Sequence, residues 1–146
     1  MTVLKPSRIV PAIALLALGF AAGSWNASNV AHAQGVGKVY ELRTYTAPDG
    51  KLPNLQARFR DHTIRIFNKH GMKSVGYWVP QDAPNSQNTL IYILEHSSRD
   101  AAKKNWADFQ ADPEWMKVSA ESQKDGRIVS KVESVFMDAT DYSPLK

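Results

Sequence analysis

The chain contains no cysteine, and that absence excludes a whole set of chemistries. Without a thiol there is no disulfide framework, thiolate zinc site, thiol nucleophile, iron–sulfur cluster or lipidated cysteine. Charge of one sign is also scarce. The formal net charge is +4 over 146 residues, and two of the bases, Lys5 and Arg8, sit in an apolar leader. The remainder is only about +2, so bulk charge does not point to a nucleic-acid partner, and none is expected. Hydrophobic residues at 43% and charged residues at 22% are those of an ordinary globular chain, not a disordered one. Also missing are a G-x-S-x-G elbow, a phosphate-binding Walker loop, a dinucleotide fingerprint and an H-E-x-x-H pair.

The leader reads as an export signal. Residues 1–8 supply a positive start, and Ile9 to Ala22 form an apolar run interrupted by Pro11. That run is shorter than the roughly 20 residues a membrane span needs. Ala31-His32-Ala33 places small residues where a signal peptidase requires them, so cleavage is expected after Ala33. This predicts a signal peptide over 1–33, a short lead-in over 34–38 and one domain over 39–146. The product is periplasmic or secreted. The alternative is a protein anchored in the membrane by an uncleaved leader.

Within the domain, Val39 to Thr46 alternates and is rich in β-branched and aromatic residues, which predicts a strand. Pro48-Asp49-Gly50 is a turn. Leu52 to His70 carries Leu55, Phe59, Thr63, Ile66 and Phe67 at helical spacing and predicts one amphipathic helix of about five turns, stopped by Gly71. Lys73 to Val79 is a second strand, residues 81–88 a polar loop, and Thr89 to His96 a strand apolar on both faces. Ser97 with Asp100 resembles a capping box for a second helix carrying Ala102, Trp106 and Phe109. Asp112-Pro113 predicts a kink or a fresh helix to about Gln123, with Asp112 as N-cap and Pro113 at its first position. After Asp125-Gly126, Ile128 to Met137 is the last strand and 138–146 a tail.

The order βαββαβ predicts an α+β fold, a ferredoxin-like antiparallel sheet with both helices on one face. A single copy leaves the other face uncovered, and the third strand is apolar there too. Pairing of two sheets into a homodimer is therefore expected.

Tyr40–Thr46 (YELRTYT), the turn into the first helix, Val75-Gly76-Tyr77-Trp78, Ala111–Trp115 (ADPEW) and Ser143-Pro144-Leu145 resemble the NIPSNAP family over nearly all of residues 38–145. The resemblance implies a dimeric α+β barrel. That fold also hosts cofactor-free monooxygenases, haem-degrading enzymes, chlorite dismutases and isomerases, so it does not name a reaction. Eukaryotic members are mitochondrial proteins linked to vesicle and mitophagy interactions. The export leader departs from those, as does the run His62–Met72 (HTIRIFNKHGM), a variant shared with some bacterial members.

Glu41, Arg43 and Tyr45 share one face of the first strand, opposite Tyr40, Leu42 and Thr44. If the second set faces the helices, the first points into the barrel. There, Glu41 and Arg43 form either a polar floor for a ligand or an ion pair fixing the dimer. His62, near the apolar stripe of the first helix, is a candidate base or haem ligand, or else a hydrogen-bonded core-edge histidine. Trp78 could line an apolar pocket or simply pack. The ligand-binding candidates are thus Glu41, Arg43, Tyr45, His62 and Trp78. Glu41, Arg43 and His62 are the catalytic candidates. A Glu95–His96 pair is not expected, because neighbours on a strand point to opposite faces. No metal site and no cofactor is predicted, with haem the alternative.

These readings converge on an exported homodimer binding a small apolar or aromatic molecule in its barrel, with cofactor-independent acid/base or monooxygenase-type chemistry open. The rival is a non-catalytic protein–protein interaction module.

Overall fold

β1 (Val39–Thr46) lies at the centre of a four-stranded antiparallel sheet because it has a partner on each side. It pairs with β3 (Thr89–His96) from Val39 opposite His96 to Thr46 opposite Thr89. On its other edge is β4 (Lys131–Met137), from Tyr40 opposite Met137 to Thr46 opposite Lys131. β2 (Lys73–Trp78) closes the far side of β3, giving the order β2-β3-β1-β4. This is the sheet that the βαββαβ pattern predicts. The computed structural model describes residues 37–145. The predicted leader and its cleavage point after Ala33 lie outside the described residues. Among the described residues, no helix is long and apolar enough to cross a membrane.

The first helical stretch is not the single regular helix that its periodicity suggests. α1 (Leu52–Arg58) starts with Pro53 in its first turn, where a missing N–H costs nothing. A π-helical turn follows over Phe59–Thr63, and α2 (Ile64–Lys69) then resumes regular winding. In the π turn the Ile64 N–H reaches back to the Phe59 carbonyl, while the Thr63 hydroxyl donates to the Arg58 carbonyl at 3.1 Å. The stretch ends as expected at Gly71, whose φ of 72° suits a residue without a Cβ.

α3 (Arg99–Ala111) is capped by Ser98, whose hydroxyl accepts from the Ala101 N–H at 3.0 Å, and not by Ser97. α4 (Pro113–Ser122) is a fresh helix with Asp112 as its cap and Pro113 at its first position, as the sequence predicts. β4 begins at Lys131, three residues later than the expected Ile128. Ile128 is instead buried in the core ahead of the strand.

Helices and sheet enclose an aromatic core. Phe67 sits 4.9 Å from Phe109 and 6.0 Å from Tyr92, and Phe59 lies 5.2 Å from Tyr92, measured between ring centroids. Leu55, Ile66, Met72 and Leu94 fill the space around them. Such tilted and edge-on contacts suit the ring quadrupoles and add to the area they bury. Trp115 packs on Phe109 at 4.3 Å, so it anchors α4 to α3 and not to the sheet.

Candidate functional site

The register of β1 against β3 decides which face of β1 is inside. Glu41, Arg43 and Tyr45 stand opposite Leu94, Tyr92 and Leu90, three buried side chains of β3. Tyr45 packs edge-on against Phe59 in the π turn, and Arg43 lies 4.1 Å from the Trp106 ring of α3. The polar set therefore faces the helices. This corrects the expectation that it would point into the barrel. The uncovered face of the sheet instead carries Leu42, Ile91 and Ile93, with Val135 more than half exposed.

On the helix side Glu41 is 1% exposed, and both of its oxygens are fully engaged. Oε1 accepts from Arg43 Nη1 and from the Ser134 hydroxyl, each at 2.6 Å. Oε2 accepts from Trp106 Nε1 at 2.6 Å and lies 3.0 Å from His96 Nε2. One carboxylate thereby ties β1 to β3, β4 and α3. Burial pushes the Glu41 carboxyl pKa up, but the bonds from His96, Ser134, Trp106 and Arg43 outweigh it and hold it at about 2. Arg43 is also desolvated, yet Tyr45, Tyr92 and Glu41 around it raise its pKa above the ordinary guanidinium value. A carboxylate so saturated is a poor proton acceptor near neutrality, and its geometry suits holding strands together.

His96, Trp106 and Ser134 are the members of this cluster that sequence reasoning missed. His96 does turn away from Glu95, which pairs with Lys38 and Lys73, but it meets Glu41 across the strand pair. The signal was available: once β1 and β3 pair antiparallel with Glu41 opposite Leu94, His96 is two residues along the same face.

The other two candidates lie elsewhere. His62 is exposed on the π turn and lines an open groove of about 530 Å³ with Arg58 and Glu121. A haem ligand at His62 would stand beside the carboxylates of Asp61, Glu114 and Glu121, with only Ala57 and Val118 as apolar wall. Trp78, half exposed on the edge strand, lies flat across Gly76: a Cβ there would fall 2.7 Å from its ring. The same tryptophan lines a cavity of about 370 Å³ with Phe59, Ile64, Tyr77, Val79 and Leu90, and Gln56 and Arg60 complete its lining. Among the described residues, no group of three His, Asp or Glu side chains is placed to hold a metal ion.

Comparison with known proteins agrees with this architecture. The NIPSNAP family model matches residues 40–144. A NIPSNAP family protein with unknown function from Agrobacterium tumefaciens superposes with a TM-score of 0.65 at 28% identity, covering 75% of this chain and 95% of that one. A second from the same organism gives 0.65 at 22% identity, over 75% and 99% of the two chains. A NIPSNAP-like domain protein from Burkholderia xenovorans gives 0.65 at 15%, over 75% and 91%, a likeness of fold alone. No curated protein matches the chain.

Proposed function

The chain belongs to the NIPSNAP family, and on that premise we propose that it is an exported homodimer that binds a small apolar or aromatic molecule. The observation that carries this reading is the cavity of about 370 Å³ walled by Phe59, Ile64, Tyr77, Trp78, Val79 and Leu90. Ligand sites are commonly concave, mostly apolar and edged by a few polar groups, here Gln56 and Arg60. The π turn supports it as well, since Phe59 and Arg60 lie in that turn and π insertions recur at functional sites. This moves the ligand from the interior of the paired sheets to the edge of β2, with Trp78 the one original candidate retained.

The homodimer is supported by the uncovered sheet face, where Trp78 is 50% and Val135 56% exposed. The leader supports export. Acid/base chemistry through Glu41 has less support, because its four partners leave no oxygen free for a substrate proton. The filled space around Glu41 favours, as a second reading, an interaction module without catalysis.

Titration of the full chain with 1-naphthol, followed through side-chain methyl resonances, tests the site. Saturable shifts should concentrate on Ile64, Val79 and Leu90. Shifts absent there, or scattered evenly over the surface, would remove the cavity from consideration.

A further inference from the structure

A buried arginine needs an anion. The part-buried Arg43 has Glu41, but Arg58, only 6% exposed, has no ion-pair partner among the described residues. Its Nη1 makes one long bond to the Ser122 hydroxyl at 3.4 Å, and its buried Nε has no hydrogen-bond partner. The Trp115 ring lies 5.1 Å from the guanidinium carbon, and the neutral phenols of Tyr45 and Tyr92 lie near enough to act on it, but none of these supplies a full counter-charge. A guanidinium taken out of water without a counter-charge is costly, and proteins normally complete such a group.

Arg58 and Ser122 both line the open groove of about 530 Å³ between α1 and α4. The groove has the right balance of charge. Of its acids, Glu114 is engaged by Arg65 and Glu121 by Lys124, leaving Asp61 against Arg58 and Lys117. Ala57 and Val118 give it apolar wall, and His62 lines the same space from the π turn. The planar fork of an arginine matches the two oxygens of a carboxylate better than it matches water.

We propose that this groove is a second ligand site, distinct from the apolar cavity beside β2, and that it takes a small organic carboxylate on Arg58 and the Ser122 hydroxyl. Lys117, exposed on α4, adds long-range attraction at the mouth. The site is independent of the naphthol cavity, so failure of either reading leaves the other standing.

Benzoate titration of the full chain, read through the Arg58 Nε–H resonance and calorimetry, provides the test. Saturable binding with a shift of that resonance is expected. Arg58→Gln should weaken binding at least ten-fold, and Lys117→Glu, at an exposed position where folding is not at stake, several-fold. Benzoate affinity unchanged in Lys117→Glu would overturn the site, as would a wild-type Arg58 resonance that does not move. Inorganic phosphate moving the same resonance at lower concentration than benzoate would overturn its assignment to carboxylates.

Discussion

Glu41 on β1 and His96 on β3 meet across the strand pair, Oε2 to Nε2 at 3.0 Å, with both side chains almost wholly buried. Arg43, Trp106 and Ser134 complete the shell around the same carboxylate. A closed arrangement of this kind acts on stability before it acts on any substrate. Its consequences are measurable as such.

Glu41→Gln leaves Arg43 desolvated beside a neutral amide, and is expected to cost about 3 kcal/mol in urea unfolding at pH 7. The pH dependence follows from the lowered carboxyl pKa, about 2 in the folded chain against an ordinary 4.5. A depressed carboxylate contributes its full stabilisation above about pH 4.5 and loses it as pH falls towards 2. The shift corresponds to about 3 kcal/mol over that window. Asp112, held low by Lys69 and His70, loses stabilisation in the same direction. The difference between wild type and Glu41→Gln isolates the Glu41 share. Parallel pH profiles for the two proteins would refute this role.

Gly76→Ala separates the edge cavity from overall stability. The new methyl would sit 2.7 Å and 2.8 Å from two atoms of the Trp78 ring, which is half exposed and free to swing outward. Unfolding free energy should change by less than about 1 kcal/mol. Tryptophan emission should shift to the red, and naphthol affinity should fall because one cavity wall has moved. An unchanged affinity together with a red shift would mean that Trp78 does not contribute to binding.

Val135→Glu tests the uncovered sheet face. In one copy this side chain is 56% exposed, so a charge there is tolerated, but between two closed sheets it would be desolvated. Sedimentation should show dimer weakened by roughly a hundred-fold or more, with circular dichroism unchanged. A dimer of undiminished strength would place the interface elsewhere.

Much of the fold is legible because local chemistry and tertiary packing agree. The bounds of β1 and β3, the stop at Gly71 and the Asp112-Pro113 start of α4 all follow from side-chain pattern, glycine φ and capping. Two features escape that reasoning. The π turn leaves the apolar spacing of Leu55, Phe59, Ile66 and Phe67 compatible with a regular helix. It shows only in the hydrogen bonds, Ile64 N–H to the Phe59 carbonyl and the Thr63 hydroxyl to the Arg58 carbonyl. The inward face of β1 depends on which side of β3 holds Leu90, Tyr92 and Leu94. Judging β1 alone, Tyr40, Leu42 and Thr44 look the more apolar set. The helices instead supply Trp106, and β3 and β4 supply His96 and Ser134, so the charged set can be buried with every Glu41 oxygen satisfied.

The central claim is a homodimer that carries a small molecule in the cavity walled by Phe59, Tyr77 and Trp78. Native mass spectrometry tests it most directly, on the protein purified from the periplasm or medium of the cell that makes it, beside an Ile64→Trp variant that fills the cavity. The account predicts a dimer with a reproducible added mass in the wild type and the same dimer without that mass in Ile64→Trp. A monomer, or a dimer whose added mass survives the filled cavity, would contradict it.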